Sequence, residues 1–421
     1  MSPSALEDDD ARLREEMIKN LKESGDLTSP ALEAALRKLP RHEFAPEATL
    51  EKAYSWFEAV PTRTDEYGVT TSSVSAPQIQ AFMLEQAGVT TGMNVLEIGS
   101  GGYNAALIAE LVGPTGQVTT IDIDPEVTER ATRMLKEHGY DSVRVVTGDA
   151  AAGVPDRAPY DVILVTAGAW DVAPAWLDQL TANGVLVLPL RVRGLTRSIA
   201  FARHGDRLES RSLRACGFVP MQGEDEHPTQ VVLVAGTDEI GLKFDDEVMG
   251  NPGDLDNAVR TERFEEWTGV AMAPQEPFNT LQLWLASRLS GYCAMTVDPD
   301  LDTGIVAPAN KHFSMAAVKA NSFGYITSRR TEEGNFEFGV HALGPQAPEL
   351  ARDITEQIRA WDREQRRGPG PTFAVFPAGT PDEDLTGDWV FDKRHSRITI
   401  TWPEAKPQGQ ASRNTQSTKR K

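Results

Sequence analysis

Apolar residues fall at helical spacing near the start of the chain and as short continuous runs through its middle. In "ARLREEMIKNLKESG", Leu13, Met17 and Leu21 share one face, which predicts a helix ending near Gly25. "TSPALEAALRKLP" predicts a second helix with a Ser-Pro start and a stop at Pro40. From Met93 to Leu190, runs such as "NVLEIG", "QVTTIDID", "VRVVTGD", "YDVILVTAG" and "GVLVLPL" alternate with amphipathic stretches such as "AALIAELVG" and "EVTERATRMLKEHG". Strands that are apolar on both faces and separated by helices imply a parallel sheet covered on both sides, a doubly wound α/β domain of Rossmann-like form. "SIAFARHGDRLESRSL" then reads as two strands around a His-Gly-Asp turn, an antiparallel addition at the sheet's edge.

The polar stretch "MQGEDEHPTQ" breaks the pattern and predicts a linker. Beyond it strand-like runs outnumber the two credible helices, "FNTLQLWLASRL" and "ELARDITEQIRAWDREQRR", so this half reads as α+β, with the first helix's apolar stripe as core. From Pro403 onward apolar residues are lacking and disorder is expected. The expected divisions are a helical part over 1–70, a cofactor-binding core over 71–222, a linker over 223–229, an α+β domain over 230–402 and a tail over 403–421.

Composition narrows the function classes. A chain of 421 residues with 40% hydrophobic and 25% charged residues is long for one core, so two globular domains are expected. The net charge of -20 argues against a phosphate-tracking nucleic-acid binder. The two cysteines lack close spacing and the seven histidines form no ligand cluster, so no structural metal is expected. The start, "MSPSALEDDD", is acidic where a signal peptide would be basic, and no apolar run reaches membrane-spanning length, which makes the cytoplasm the expected location.

The candidate chemistry begins at "VLEIGSGGYNAALIAEL", a strand, a glycine turn and a helix. Gly99, Ser100, Gly101 and Gly102 let the backbone approach a ligand, and the helix start supplies free N–H groups. Asp122, beside Ile123, follows Gly99 at about the 20-residue distance of a ribose-hydroxyl acceptor. Gly148-Asp149 ends the third strand where it can meet an adenine amino group. The turn is one residue short of the alternating dinucleotide spacing, and Glu97 beside it would repel a pyrophosphate. An acid there suits a cationic, ammonium-bearing ligand and points to S-adenosylmethionine. "SSVSAPQIQAFMLEQAG" adds a helix with Ile79, Phe82 and Met83 on its buried face and an end at Gly88, with Ser75 and Gln78 at capping-box spacing.

Ordered segments carry a resemblance: "LRKLPRHEFAPE", "SVSAPQIQAFML", "VLEIGSGG", "IDIDPE", "GDAAAGVPDRAPYDVILVTAG", "LDQLTANGVLVLPL" and "CGFVPM". Together they resemble protein-L-isoaspartate O-methyltransferases over the first half of the chain, to about Gly223. The resemblance implies a fold binding S-adenosylmethionine, with S-adenosylhomocysteine as product, and esterification of a carboxylate. It places Ser75 on the serine that contacts the substrate carboxyl and Ser73 where a threonine is usual, so both are candidate donors to the accepting carboxylate, with Ser72 beside them. Tyr103 and Asn104 are candidates for the methionine moiety. Trp170 and Asp171 have two readings: they line a peptide channel, or they plug the core and cap the next helix.

The chain departs from the repair enzymes in "DEYGVTTSSVSAP", the shortened "GSGGYN", "GAWDVAPAW" and a long C-terminal half. These departures resemble a divergent branch associated with ribosomally made, modified peptides such as lanthipeptides, lasso peptides and graspetides. The expectation is esterification of an aspartate in a ring-constrained precursor peptide, collapsing to an aspartimide, with the C-terminal domain in peptide recognition. The alternatives are an isoaspartyl repair enzyme acting on damaged proteins and, from another class, a binding module that keeps the fold without catalysis.

Overall fold

The computed structural model describes residues 3–99, 101–234, 238–246, 248 and 252–404. It divides into two units, residues 1–229 with 372–399, and residues 230–371 with 400–421.

The first unit is built on a ten-stranded sheet. Its parallel part runs across the sheet as Leu180–Val192, Tyr160–Val165, Asn94–Ile98, Gln117–Asp122 and Arg144–Thr147. Val95, Leu96, Val162, Ile163 and Leu164 are buried, as their all-apolar runs require between two helical layers. Strand order reverses between Asn94–Ile98 and Tyr160–Val165, and such a reversal opens a crevice beyond the carboxyl ends. Ile98 pairs with both Ile121 and Val165, so the three strands end level. Met17 and Leu21 of the first helix, Pro3–Glu23, join the same core, and Ser29 caps Pro30–Lys38 by accepting from Leu32 N.

Leu180–Val192 turns into Leu195–His204 through Arg193 and Gly194, both at positive φ, the geometry of a two-residue hairpin. Arg207–Ala215 follows around Gly205. This pair was expected at the sheet's edge. Instead Thr372–Pro377 pairs with Arg207–Ala215, and Ser396–Thr401 and Trp389–Asp392 continue outward from it. The predicted domain over 230–402 is corrected accordingly: residues 372–399 belong to the first unit. Pairing between segments so distant in sequence leaves no local pattern to read.

Asp171 anchors this return. It is 4% exposed, its Oδ2 accepts from His395 N at 2.6 Å, and its Oδ1 accepts from Ser396 Oγ and from Val172 N at 2.7 Å. Lys393 Nζ donates to the carbonyls of Trp170 and, at 2.6 Å, Arg191. The capping reading of Asp171 does not hold, since the following helix, Pro174–Gln179, has Ala173 at its cap without a side-chain bond.

The second unit is a seven-stranded antiparallel sheet ordered Gln230–Val234, Ile240–Phe244, Tyr292–Val297, Ser314–Lys319, Ser322–Arg330, Phe336–Leu343, Phe264–Met272. Helix Ala347–Glu364 buries Leu350, Ile354, Ile358 and Trp361 against it, and Asn279–Arg288 packs on that helix. Leu281, Leu283, Trp284 and Leu285 are buried, so the stripe in "LQLWLASRL" is core. Residues 405–421, most of the expected tail, lie outside the described residues. No helix among the described residues is long and apolar enough to cross a membrane.

Replacing Asp171 by Ala leaves the His395 N–H and the Ser396 hydroxyl without their buried acceptor. The expected loss is roughly 2–4 kcal/mol of unfolding free energy for the first unit, measured by urea denaturation.

Candidate active site

A cavity of about 610 Å³ lies over the carboxyl ends of the parallel strands, within the size range of small-molecule sites. Ile98, Gly99, Ile121, Asp122, Leu164 and Thr166 form its floor. The strand Thr70–Val74, paired with Val60–Thr64 in a separate hairpin, forms one wall together with Ser75. Residues 217–222 form a strap on another side, held by Gly168 N to Val219 O at 2.8 Å and Met221 N to Gly168 O at 3.0 Å.

The glycine turn is shaped by its neighbours. Gly99 N donates to Ile121 O at 2.8 Å and Thr166 N to Ile98 O at 2.7 Å, which carries the sheet pairing past the strand ends. Gly99 has φ +97°, and a Cβ there would run into Thr166 Oγ1, so only glycine fits. Gly102, at φ +83°, stands before helix Tyr103–Val112 and accepts from Ala106 N at 3.0 Å. Gly101 lies on the cavity beside the hairpin, and Ser100 lies outside the described residues.

Glu97 is wholly buried beneath the turn. Its Oε1 accepts from Asn104 Nδ2 at 2.8 Å and its Oε2 from Thr120 Oγ1 at 2.6 Å. Burial pushes its carboxyl up to about 7; the two hydrogen bonds oppose this and the Asp122 charge adds to it. Asn104 donates to Glu97 through its Nδ2, and its buried Oδ1 has no hydrogen-bond partner among the described residues, on a residue that lines the cavity. An orphaned acceptor backed by a carboxylate fits the cationic amino group of S-adenosylmethionine. Asp122 fits the ribose: it lines the cavity and accepts from Asp124 N at 3.0 Å through one oxygen. Ile123, 38% exposed, offers an apolar surface on the same side.

The other candidates are placed less directly. Gly148 N donates to Asp122 O at 2.9 Å behind the lining. The Asp149 carboxylate is already engaged, with Oδ1 accepting from Ala151 N at 2.9 Å and Oδ2 from Glu224 N at 2.7 Å; Ala150 is the residue that reaches the cavity. Trp170 is half-buried and outside the lining. Its ring stacks on His227 at 3.8 Å, and the Lys393 ammonium sits 4.6 Å from its centroid. Tyr103 is on the lining, 1% exposed, with its hydroxyl pushed up to about 12 by burial.

Ser72, Ser73 and Ser75 all line the cavity. Ser72 Oγ accepts from Thr62 Oγ1 at 3.1 Å, whereas among the described residues no hydrogen bond takes up the Ser73 or Ser75 hydroxyl. The expected Ser75–Gln78 capping box is not formed. The helix, Pro77–Ala87, has Ala76 at its cap; Gln78 Nε2 instead reaches Asp26 Oδ2 at 2.8 Å, and Arg41 takes the Ser75 carbonyl at 2.7 Å. Partners brought by the N-terminal helices outcompete a local bond worth about 1 kcal/mol. Its predicted end holds, with Gly88 at φ 62°.

Sequence reading missed the strap, Thr166 and Phe57 as parts of the site. "CGFVPM" stood out as a segment, but its position over the sheet comes from the long-range bridge of Gly168 to Pro220.

Residues 12–226 match the family model described as protein-L-isoaspartate(D-aspartate) O-methyltransferase. The chain is 39% identical over 217 residues to a protein-L-isoaspartate O-methyltransferase of Methanopyrus kandleri, covering 51% of this chain and 93% of that protein. A solved protein-L-isoaspartate O-methyltransferase aligns over 86% of this chain and 96% of its own, with TM-score 0.48 and 21% identity. A putative protein-L-isoaspartate O-methyltransferase from Plasmodium falciparum, in complex with S-adenosyl-L-homocysteine, aligns over 49% of this chain and 97% of its own, with TM-score 0.42 and 16% identity.

The raised carboxyl of Glu97 has a consequence for stability. The folded chain holds this proton more tightly than the unfolded one, so its contribution is complete below about pH 4.3 and is lost as pH rises through about 7. Without ligand, Glu97→Gln should remove a pH dependence on the order of 3–4 kcal/mol over that window, read from denaturation curves of variant and wild type.

Proposed function

The chain belongs to the protein-L-isoaspartate(D-aspartate) O-methyltransferase family and is a carboxyl O-methyltransferase dependent on S-adenosylmethionine, and we propose that it esterifies the free α-carboxylate of L-isoaspartyl residues in peptides or proteins. The observation that supports this reading is that Ser73 and Ser75, whose hydroxyls no hydrogen bond takes up among the described residues, line the same cavity as Gly99, Asn104 and Asp122.

When bound, S-adenosylmethionine supplies an electrophilic methyl group on a sulfonium. Asn104, backed by Glu97, would hold its amino group, and Asp122 would hold its ribose. The substrate carboxylate is ionised at neutral pH and needs no general base. The chain's task is to bring it in, shed part of its water and aim one oxygen at the methyl carbon; Ser73 and Ser75 donate to the carboxylate and set that aim. Positioning of this kind is worth up to ~7–11 kcal/mol of barrier. Once the ester has formed, the backbone nitrogen of the following residue attacks its carbonyl and methanol leaves. The resulting succinimide needs geometry in the peptide and nothing from the protein.

A second reading shares this chemistry and differs in its acceptor, an aspartate of a ring-constrained ribosomal peptide. It is supported by the second unit, which lies outside the matched residues 12–226 and offers surface that a small repair enzyme does not need. Mass spectrometry of a linear isoaspartyl peptide and a cyclic aspartyl peptide, each incubated with enzyme and S-adenosylmethionine, separates the two. A gain of one methyl on the linear isoaspartyl peptide is expected; methylation confined to the cyclic aspartyl peptide would sink the isoaspartyl reading.

Ser75→Ala should lower kcat/KM by about 10- to 100-fold, corresponding to one lost hydrogen bond to a charged group, with S-adenosylhomocysteine affinity unchanged by calorimetry. Normal turnover in this variant removes Ser75 from the acceptor site.

A further inference from the structure

Arg41 has no exposed surface, yet every acceptor it meets is neutral. Its Nε donates to Ala53 O at 2.7 Å, one terminal nitrogen to Gln80 Oε1 at 2.7 Å, and the other to Ser75 O at 2.7 Å and Val74 O at 3.4 Å. The guanidinium carbon lies 5.2 Å from the centroid of the Tyr103 ring. Burial pulls the group down to about 10, opposed by Tyr103 and Tyr54, so it remains a cation at neutral pH. A buried cation normally faces a carboxylate, because a charge removed from water without its counter-charge is costly. Ser75, Gln80 and Tyr103 all line the cavity, so the charge stands directly behind the wall on which the acceptor carboxylate is proposed to sit.

We propose that Arg41 is the charge-selecting and positioning residue for the substrate: the carboxylate entering the cavity supplies the missing counter-charge, and the bonds to Val74 O and Ser75 O hold the serine segment that receives it. The inference rests on the isoaspartyl reading of the site. Methyl transfer neutralises the carboxylate, so a cation in direct contact would favour the ground state over the transition state. Set one layer back, Arg41 draws the anion in while leaving its oxygen free to react. Its loss therefore appears in KM more than in kcat.

The test uses two linear peptides that differ only in whether the isoaspartyl residue carries a free carboxylate or a carboxamide. Binding of both to the full chain saturated with S-adenosylhomocysteine is compared among wild type, Arg41→Met and Arg41→Lys. Wild type should prefer the carboxylate; Arg41→Met should lose at least about tenfold of that preference, with a rise in KM larger than the fall in kcat and unchanged S-adenosylhomocysteine affinity. Arg41→Lys, which keeps the charge and loses the planar fork, should retain the preference in mildly acidic buffer. A purely structural role would weaken both peptides equally, and that result overturns the inference. So does an Arg41→Lys variant that binds S-adenosylhomocysteine normally but has lost the preference. If Arg41→Met does not fold, Arg41→Gln, which keeps a donor for the Ser75 carbonyl, is read by the same criterion. A wild type that transfers no methyl to the isoaspartyl peptide overturns the substrate reading and this inference together. A wild type that does, beside a neutral variant that keeps the preference, overturns this inference alone.

Discussion

The hydrogen bonds from Gly99 N to Ile121 O and from Thr166 N to Ile98 O hold the ends of the parallel strands level where the strand order reverses. Everything at the site is measured from that line. The turn at Gly99 must fold back immediately over Thr166, which restricts it to a residue without a Cβ. The same level ends bring Asp122 to the cavity beside the turn, while the strap crosses from Gly168. The turn is shorter by one residue than the dinucleotide form, and the strand register fixes where Gly99, Asp122 and Thr166 meet the cavity.

Two buried charges flank this line with different compensation. Glu97 is satisfied by Asn104 and Thr120, and Asn104 is itself a lining residue of the cavity. Arg41 is satisfied only by carbonyls and an amide, so its hydrogen bonds are met while its charge is not. Glu97 bonds to Asn104 and Arg41 to Ser75 and Gln80, so each of the two buried ionisable groups is joined to residues that line the cavity. Buried charges of this kind interact through a medium that screens them less than water does.

The C-terminal return has a comparable structural weight. Residues 372–399 leave the second unit to extend the first unit's sheet, and Asp171 and Lys393 fasten them to the segment that follows the strand Tyr160–Val165. His395 Nε2 lies 3.0 Å from Asp225 Oδ1, which ties the return to the chain just beyond the strap, and Asp149 holds that same region through Glu224 N. The chain just beyond the strap is thus held by two groups that do not line the cavity, Asp149 and His395.

The apolar runs between Met93 and Leu190 determined the parallel sheet, and with it the place of the glycine turn and of Asp122, because burial on both faces leaves a local signature of continuous apolar residues. The end of the serine helix at Gly88 was legible for the same reason: a left-handed cap is a property of a few adjacent residues. What Ser75, Asp149 and Asp171 bond to was decided only by the tertiary structure. Asp149 and Asp171 each accept from a neighbour in sequence and also from a partner far along the chain, Glu224 and His395, while Arg41 takes the Ser75 carbonyl and not its hydroxyl. Local and distant partners of a polar side chain differ by only about a kcal/mol or two, so the choice turns on which acceptor packing delivers. The return of residues 372–399 lies beyond local reading on the same ground, since its pairing with Arg207–Ala215 joins segments far apart in sequence and leaves no periodicity there.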